Sequence, residues 1–268
     1  MKLMCAACWA VLLVILGCGS GEHAVSGETD GLPRLDSAEK TVVVWLDDER
    51  ITKMEFALIP SGTCTMGSEV HEDERPVHQV KIENSFWLGT TEVTQAQWQT
   101  LMKDNPSKVQ GPNLPVSDVS WKDCQRFLLR LNERLKDKVA RLPNEAEWEF
   151  ACRAGSSSKW SSGDLEDALA EYAWFEPNSA GHAHEVAERK PNSWGLFDMH
   201  GNLWEWCEDY YGPYLGRDAA PGEPAAARFR CVRGGSWADK SKNCRSALRY
   251  QASPDDKDEF IGFRVLLR

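Results

Sequence analysis

Between residues 41 and 94 the apolar positions follow a short period. TVVVWL (41–46) is β-branched and begins the ordered part of the chain. FALIPSGTCTMGS (56–68) predicts one strand interrupted at Pro60 and Gly62, then a second that ends at Gly67 and Ser68. In VHQVKIENSFWLGTTEVT (77–94), Val77, Val80, Ile82 and Phe86 interleave with polar residues, which is strand behaviour. After Thr94 the period lengthens. Thr94 caps a predicted helix QAQWQTLMK with Trp98, Leu101 and Met102 on one face. Ser120 caps a longer one, WKDCQRFLLRLNERLKD, with Asp123 placed for a capping box and Cys124, Phe127, Leu128 and Leu131 as a buried stripe. A third helix is predicted within 142–155, capped by Asn144, with Glu145 and Glu147 at its positive end and Gly155 stopping it.

The last 110 or so residues show few periodic runs and many Gly, Pro, Asn and Trp. Such a stretch in a compact domain needs a metal, disulfides or some other tie to hold it. Nine cysteines divide into Cys5, Cys8 and Cys18 near the N-terminus and Cys64, Cys124, Cys152, Cys207, Cys231 and Cys244 beyond it. Six thiols in an oxidising compartment permit disulfides in 15 connectivities. No CxxC pair or Cys/His cluster with zinc spacing occurs in that part, and His182 and His184 alternate without a third ligand. A net charge of -10 argues against a nucleic-acid partner. Twelve tryptophans supply large rigid surface for a core or a binding cleft.

The N-terminal MKLMCAACWAVLLVILGCGS has one basic residue, Lys2, and an apolar run over 3–16, too short for a membrane span of about 20 residues. It predicts a signal peptide over 1–18. Leu16, Gly17 and Cys18 resemble a bacterial lipobox, which implies lipidation at Cys18, a flexible linker over 19–40 and a domain over 41–268. Gly19 after the lipidated residue points to the outer membrane, so the expected location is the cell envelope, exported and lipid-anchored.

Seven stretches, in order, carry a stronger resemblance: IPSGTCTMGS, FWLGTTEVTQAQW, LPVSDVSWKDC, RLPNEAEWEFACRAG, WGLFDMHGNLWEWCEDYY, RGGSWADKSKNCRSALR and IGFRV. Together they resemble the formylglycine-generating enzyme (sulfatase-modifying factor) family from about residue 55 to 268. The resemblance implies an α+β, C-type-lectin-like fold, loop-rich with little regular secondary structure. It also implies one structural Ca²⁺ in DMHGNLWEW, held by the side chains of Asp198 and Glu205 and the carbonyls of Gly201 and Leu203. The family's second calcium site falls on Ala173–Phe175, where this chain offers Trp and Phe, and is not expected.

Family members oxidise a substrate cysteine with Cu(I) held by two cysteines after GGS. Cu(I) is soft and takes thiolates. Those two positions fall on Asp239 and Ser241, hard oxygen groups, so Cu(I) is not expected here. Cys244 lies in NCRSALR, which reads as strand-like, with Cys244 and Ser246 on one face. A family disulfide implies a shifted Cys152–Cys244 bridge; Cys207 with Cys231 is a second candidate pair. Trp204 and Ser236 match groove-lining positions, and Trp237, Asn202 and Arg249 lie close by motif, Arg249 more readily as a structural ion pair. Two classes of function stay open. One is a binding or accessory module for a peptide, glycan or envelope protein. The other is a formylglycine-generating oxidase or a related oxidation; a purely structural envelope protein is a third reading.

Overall fold

In the computed structural model, which describes residues 40–135, 138–214 and 228–268, the N-terminal alternation becomes antiparallel strands. β1 (Thr41–Trp45) buries Val42 and Val44 and turns Val43 and Trp45 outward. It pairs with β2 (Lys53–Ile59), and β3 (Gly62–Met66) forms a separate hairpin with β4 (His78–Ile82). β5 (Phe86–Gly89) is buried along its whole length and pairs with β2.

Helix α1 (Gln95–Met102) starts at Thr94 and α2 (Trp121–Arg134) at Ser120, each closed by a capping box with Gln97 and Asp123 respectively. After the two-residue β6 (Ala140–Arg141), α3 (Glu145–Arg153) starts at Asn144 with a box to Glu147 and ends at left-handed Ala154, followed by Gly155. The α2 stripe packs as its spacing predicts: Cys124, Phe127, Leu128 and Leu131 are all buried. Trp98 stacks on Phe127 with ring centroids 5.5 Å apart, and Phe263 stands edge-on to both. Burying each such side chain contributes roughly 2–3 kcal/mol.

The C-terminal part is more regular than its pattern predicts. After the short α4 (Glu166–Leu169), four strands form a second sheet: β7 (Trp204–Tyr210), β8 (Arg230–Arg233), β9 (Arg249–Ala252) and β10 (Ile261–Gly262). Their order is β10-β7-β8-β9, with β10 parallel to β7 and the other pairs antiparallel. β7 buries four successive residues, so it shows no alternation to read. The last strand, β11 (Leu266–Leu267), enters the first sheet between β5 and β6, giving the order β1-β2-β5-β11-β6.

NCRSALR is not a strand. Ser241–Asn243 is a single 3₁₀ turn and β9 starts at Arg249, so Cys244 and Ser246 share no strand face. The expected Cys152–Cys244 bridge is absent, and all six cysteines from Cys64 to Cys244 are free, Cys207 and Cys231 included. The His200 ring explains the separation. It contacts Cys152 Sγ at 3.7 Å and hydrogen-bonds the Cys244 carbonyl at 2.9 Å, holding the two segments without a covalent tie.

Buried ion pairs take the place of the expected ties. Arg264 grips Glu205 through two bonds of 2.6 and 2.7 Å. Arg249 does the same to Glu145, and Arg245 to Glu74. Arg233, fully buried, pairs with Glu149, which also holds Arg153. Bidentate guanidinium–carboxylate pairs fix orientation as well as distance. The expected signal peptide, the lipidation expected at Cys18 and the expected linker up to residue 39 fall on residues outside the described ones; the described residues all belong to the compact unit 31–268. Among the described residues no helix is long and apolar enough to cross a membrane.

Candidate functional site

A groove of about 570 Å³ opens beside the second sheet. Trp204 of β7, Tyr250 of β9, Phe260 and the loop residues Ser236 and Asp239 form its walls, with Asp73 and Asp258 at its sides. The Asp239 carboxylate lines it and is held through both of its oxygens. One oxygen accepts from the Trp204 indole N–H at 2.9 Å and from the Ser236 backbone N–H and hydroxyl at 3.0 and 2.7 Å. The other accepts from the Asn243 amide at 2.9 Å. Four donors converge on one side chain, so Asp239 organises the loop that follows β8. Sequence reasoning marked Asp239 only as the place of a missing thiol; the Ser-x-x-Asp spacing from Ser236 was the overlooked signal.

Gly234 and Gly235 make that loop possible, both with positive φ. A side chain at Gly235 would lie 2.7 Å from Cys244 Sγ, so Cys244 packs as a filler beneath the loop. Burial pushes its thiol well above the ordinary range. Burial likewise raises Cys152 to about 12 and Cys64 to about 11. Such thiols are poor nucleophiles and poor thiolate donors, and among the described residues no cysteine lines the groove.

Ser241 faces elsewhere: its hydroxyl donates to Glu166 of α4 at 2.6 Å, and it is absent from the groove walls. Trp237 is also off the groove. Its ring lies tilted against Phe260, centroids 4.9 Å apart, and it lines a separate cavity of about 80 Å³ with His182, Lys108 and Glu259. Arg249 reaches the groove wall, but its guanidinium belongs to Glu145. Asn202, with φ 59°, is buried and ties the loop before β7 to His184.

The segment expected to hold calcium is bent and buried. Asp198 and Gly201 have φ of 58° and 114°, and a side chain at Gly201 would strike the Trp174 carbonyl at 2.1 Å. Asp198 is 1% exposed; one carboxylate oxygen accepts from the Ala187 N–H and the other has no partner. Burial raises its pKa to about 6, and Glu205 and Glu188 add to the rise. Glu205 differs from the expectation: Arg264 and the Trp148 indole supply three donors to its carboxylate. Glu92, which sequence reasoning did not single out, accepts from the Leu203 N–H and the Asn202 amide. Burial, then Asp198 and Glu205, raise Glu92 well above the carboxylate range.

Three buried carboxylates thus share one arginine, and the unpartnered Asp198 oxygen fits a hard cation. Glu205, already holding three donors, has less capacity for that role. Among the described residues no three His, Cys, Asp or Glu side chains are arranged as a metal cage, so a cation here would draw mainly on carbonyls.

The profile of the family described as "Sulfatase-modifying factor enzyme 1-like domain" matches residues 44–268. The chain belongs to this family. The sulfatase-modifying-factor domain is 29% identical to the serine/threonine-protein kinase pkn1 of Chlamydia pneumoniae, over 78% of this chain and 37% of that protein. It is also 29% identical to the formylglycine-generating enzyme of Mus musculus, over 70% of this chain and 52% of that one. The chain therefore spans about half or less of these relatives' lengths. Among solved structures it resembles Treponema denticola variable protein 1, with a TM-score of 0.78 and 28% identity, covering 85% of this chain and 99% of that one. The fold is the C-type-lectin-like α+β fold of sulfatase-modifying factors, loop-rich and short of helix.

Proposed function

We propose that this sulfatase-modifying-factor domain acts as a binding or accessory module of the cell envelope, holding a peptide, glycan or partner protein in the groove beside Trp204. One observation carries the reading. Where the resemblance places a copper thiolate, the Asp239 carboxylate is fixed by four hydrogen bonds as part of the groove's frame. Cu(I) needs soft donors, and the six free cysteines are committed to packing elsewhere. Similarity to formylglycine-generating enzymes favours the oxidase as the second reading. Incubating the purified protein with Cu(I) in air and a Cys-x-Pro-x-Arg peptide separates the two. The expected result is an unchanged peptide mass; aldehyde formation would overturn the binding reading.

Two accompaniments belong to the same proposal. Ca²⁺ at Asp198 would offset the buried negative charge there, so a chelator is expected to lower the melting temperature, and no shift counts against the ion. Lipidation at Cys18 would hold the domain on the outer membrane. Cys18→Ala is then expected to release it from the membrane fraction, whereas retention counts against the anchor.

A further inference from the structure

Large apolar side chains left in solvent gather in one hairpin. Val43 and Trp45, on the outward face of β1, are 40% and 38% exposed, and Ile51, in the turn before β2, is 80% exposed. The same strand turns Val42 and Val44 into the core, so both of its faces are apolar. Among the described residues β1 pairs with β2 alone and forms the edge of the first sheet. An apolar residue alone in solvent needs no explanation, whereas three within residues 43–51 mark a contact surface.

The turn that presents Ile51 is firmly built. Asp47 accepts from the Ile51 and Thr52 N–H groups, each at 2.7 Å, and the Leu46 N–H donates to the Thr52 carbonyl at 2.8 Å. Arg134 of α2 holds Asp48 at 2.6 Å, and Lys53 pairs with Glu55. Lys40, Arg50, Lys53 and Arg134 offset Asp47, Asp48, Glu49 and Glu55. A surface with no net charge has little electrostatic hold on a charged partner, so what this hairpin offers is apolar area.

The place of the hairpin in the chain says what meets it. β1 is the first described element, and Lys40 joins it directly to the N-terminal segment. With lipidation at Cys18, residues 19–39 separate the anchor from the strand, and a flexible stretch of that length spans roughly 25 Å. The anchor thus keeps a bilayer surface within reach of the hairpin. A second contact made on a tether needs little affinity of its own, because the tether supplies an effective concentration in the millimolar range. Tryptophan, apolar over its ring and polar at its N–H, suits the headgroup level of a bilayer.

We infer that the β1–β2 hairpin is a membrane contact: Ile51 enters the headgroup region of the bilayer that carries the anchor, and Trp45 and Val43 lie along its surface. The domain is thereby held at a fixed attitude instead of swinging on its linker. This rests on the lipid-anchor reading above and adds which face meets the bilayer. The contact is apolar, so neutral lipid suffices.

The test uses the full-length lipidated protein on phosphatidylcholine vesicles, with tryptophan quenching by brominated lipid and amide exchange over 41–53 as readouts. Quenching is expected in the parent and largely lost in Trp45→Phe, while Ile51→Asp removes at least about half of it and of the exchange protection. Both variants change exposed side chains, so the melting temperature is expected to stay where it is. Added phosphatidylglycerol or salt is expected to change neither readout; a contact that grows with anionic lipid and fades with salt overturns the inference. Protein that floats with the vesicles but shows equal quenching in the parent and in Trp45→Phe also overturns it and leaves the anchor standing. Protein that does not float with them overturns both. Protection of β1 that rises with protein concentration in vesicle-free Cys18→Ala protein assigns the face to a second copy and overturns the membrane contact.

Discussion

The two ends of this domain are held together by different physics. From β1 to α3 the ties are local: each helix starts on a capping box closed within three residues, and its apolar stripe packs at helical spacing. From α4 onward the ties are long-range. Arg264 reaches Glu205 across 59 positions, and Arg249 reaches Glu145 across 104. Local ties specify an element from its own sequence. Long-range pairs specify where loops sit once the elements exist, and here they hold the loops that border the groove.

The largest expected effect is therefore on the long-range side. Arg264→Met leaves Glu205, Glu92 and Asp198 buried without their cation. Breaking a buried pair in this way costs about 3–5 kcal/mol, read by urea denaturation. A loss below about 1 kcal/mol would break the contrast.

Acid should separate the two ends next. Burial pulls the Glu145 carboxyl up, but Arg233 and Arg249 outweigh it, leaving it below its ordinary 4.5. Glu74 is likewise held down by Arg245 and Ser68 against burial. A carboxylate with a lowered folded pKa contributes its stability above the unfolded value and loses it as pH falls through the folded one. Amide exchange should therefore show β9 and the loop over 234–248 losing protection below about pH 4.5 before α2 does. Asp123, in the α2 cap, starts from 3.8 and is lowered too. Glu74→Gln should blunt the acid loss; an unchanged profile would assign it elsewhere.

The smallest effect belongs to the local side. Ser120→Ala removes the α2 cap and should cost about 1 kcal/mol, with the groove unaffected.

What could be read from the sequence follows the same division. Thr94, Ser120 and Asn144 announce their helices because the partner lies three residues on. The second sheet was not legible: β7 is buried on successive residues, and β8 carries Arg233, a residue that pattern reading sends to solvent. The oxygen side chains at Asp239 and Ser241, where the resemblance places the thiol pair, could be read from the sequence. That Asp239 organises the groove while Ser241 faces Glu166 required three dimensions. Cys152 and Cys244 suggested a disulfide because spacing cannot reveal the His200 ring that holds their segments.

Along the C-terminal stretch the inward arginines and the groove-facing residues interleave: Asn243 precedes Arg245, Tyr250 follows Arg249, and Phe260 comes shortly before Arg264. Replacing Tyr250 or Phe260 leaves the guanidinium pairs beside them in place, whereas Asn243 belongs to the groove's frame through Asp239. The lining of the groove and the pairs that anchor it are thus carried by different residues, so the lining can vary while the architecture stays.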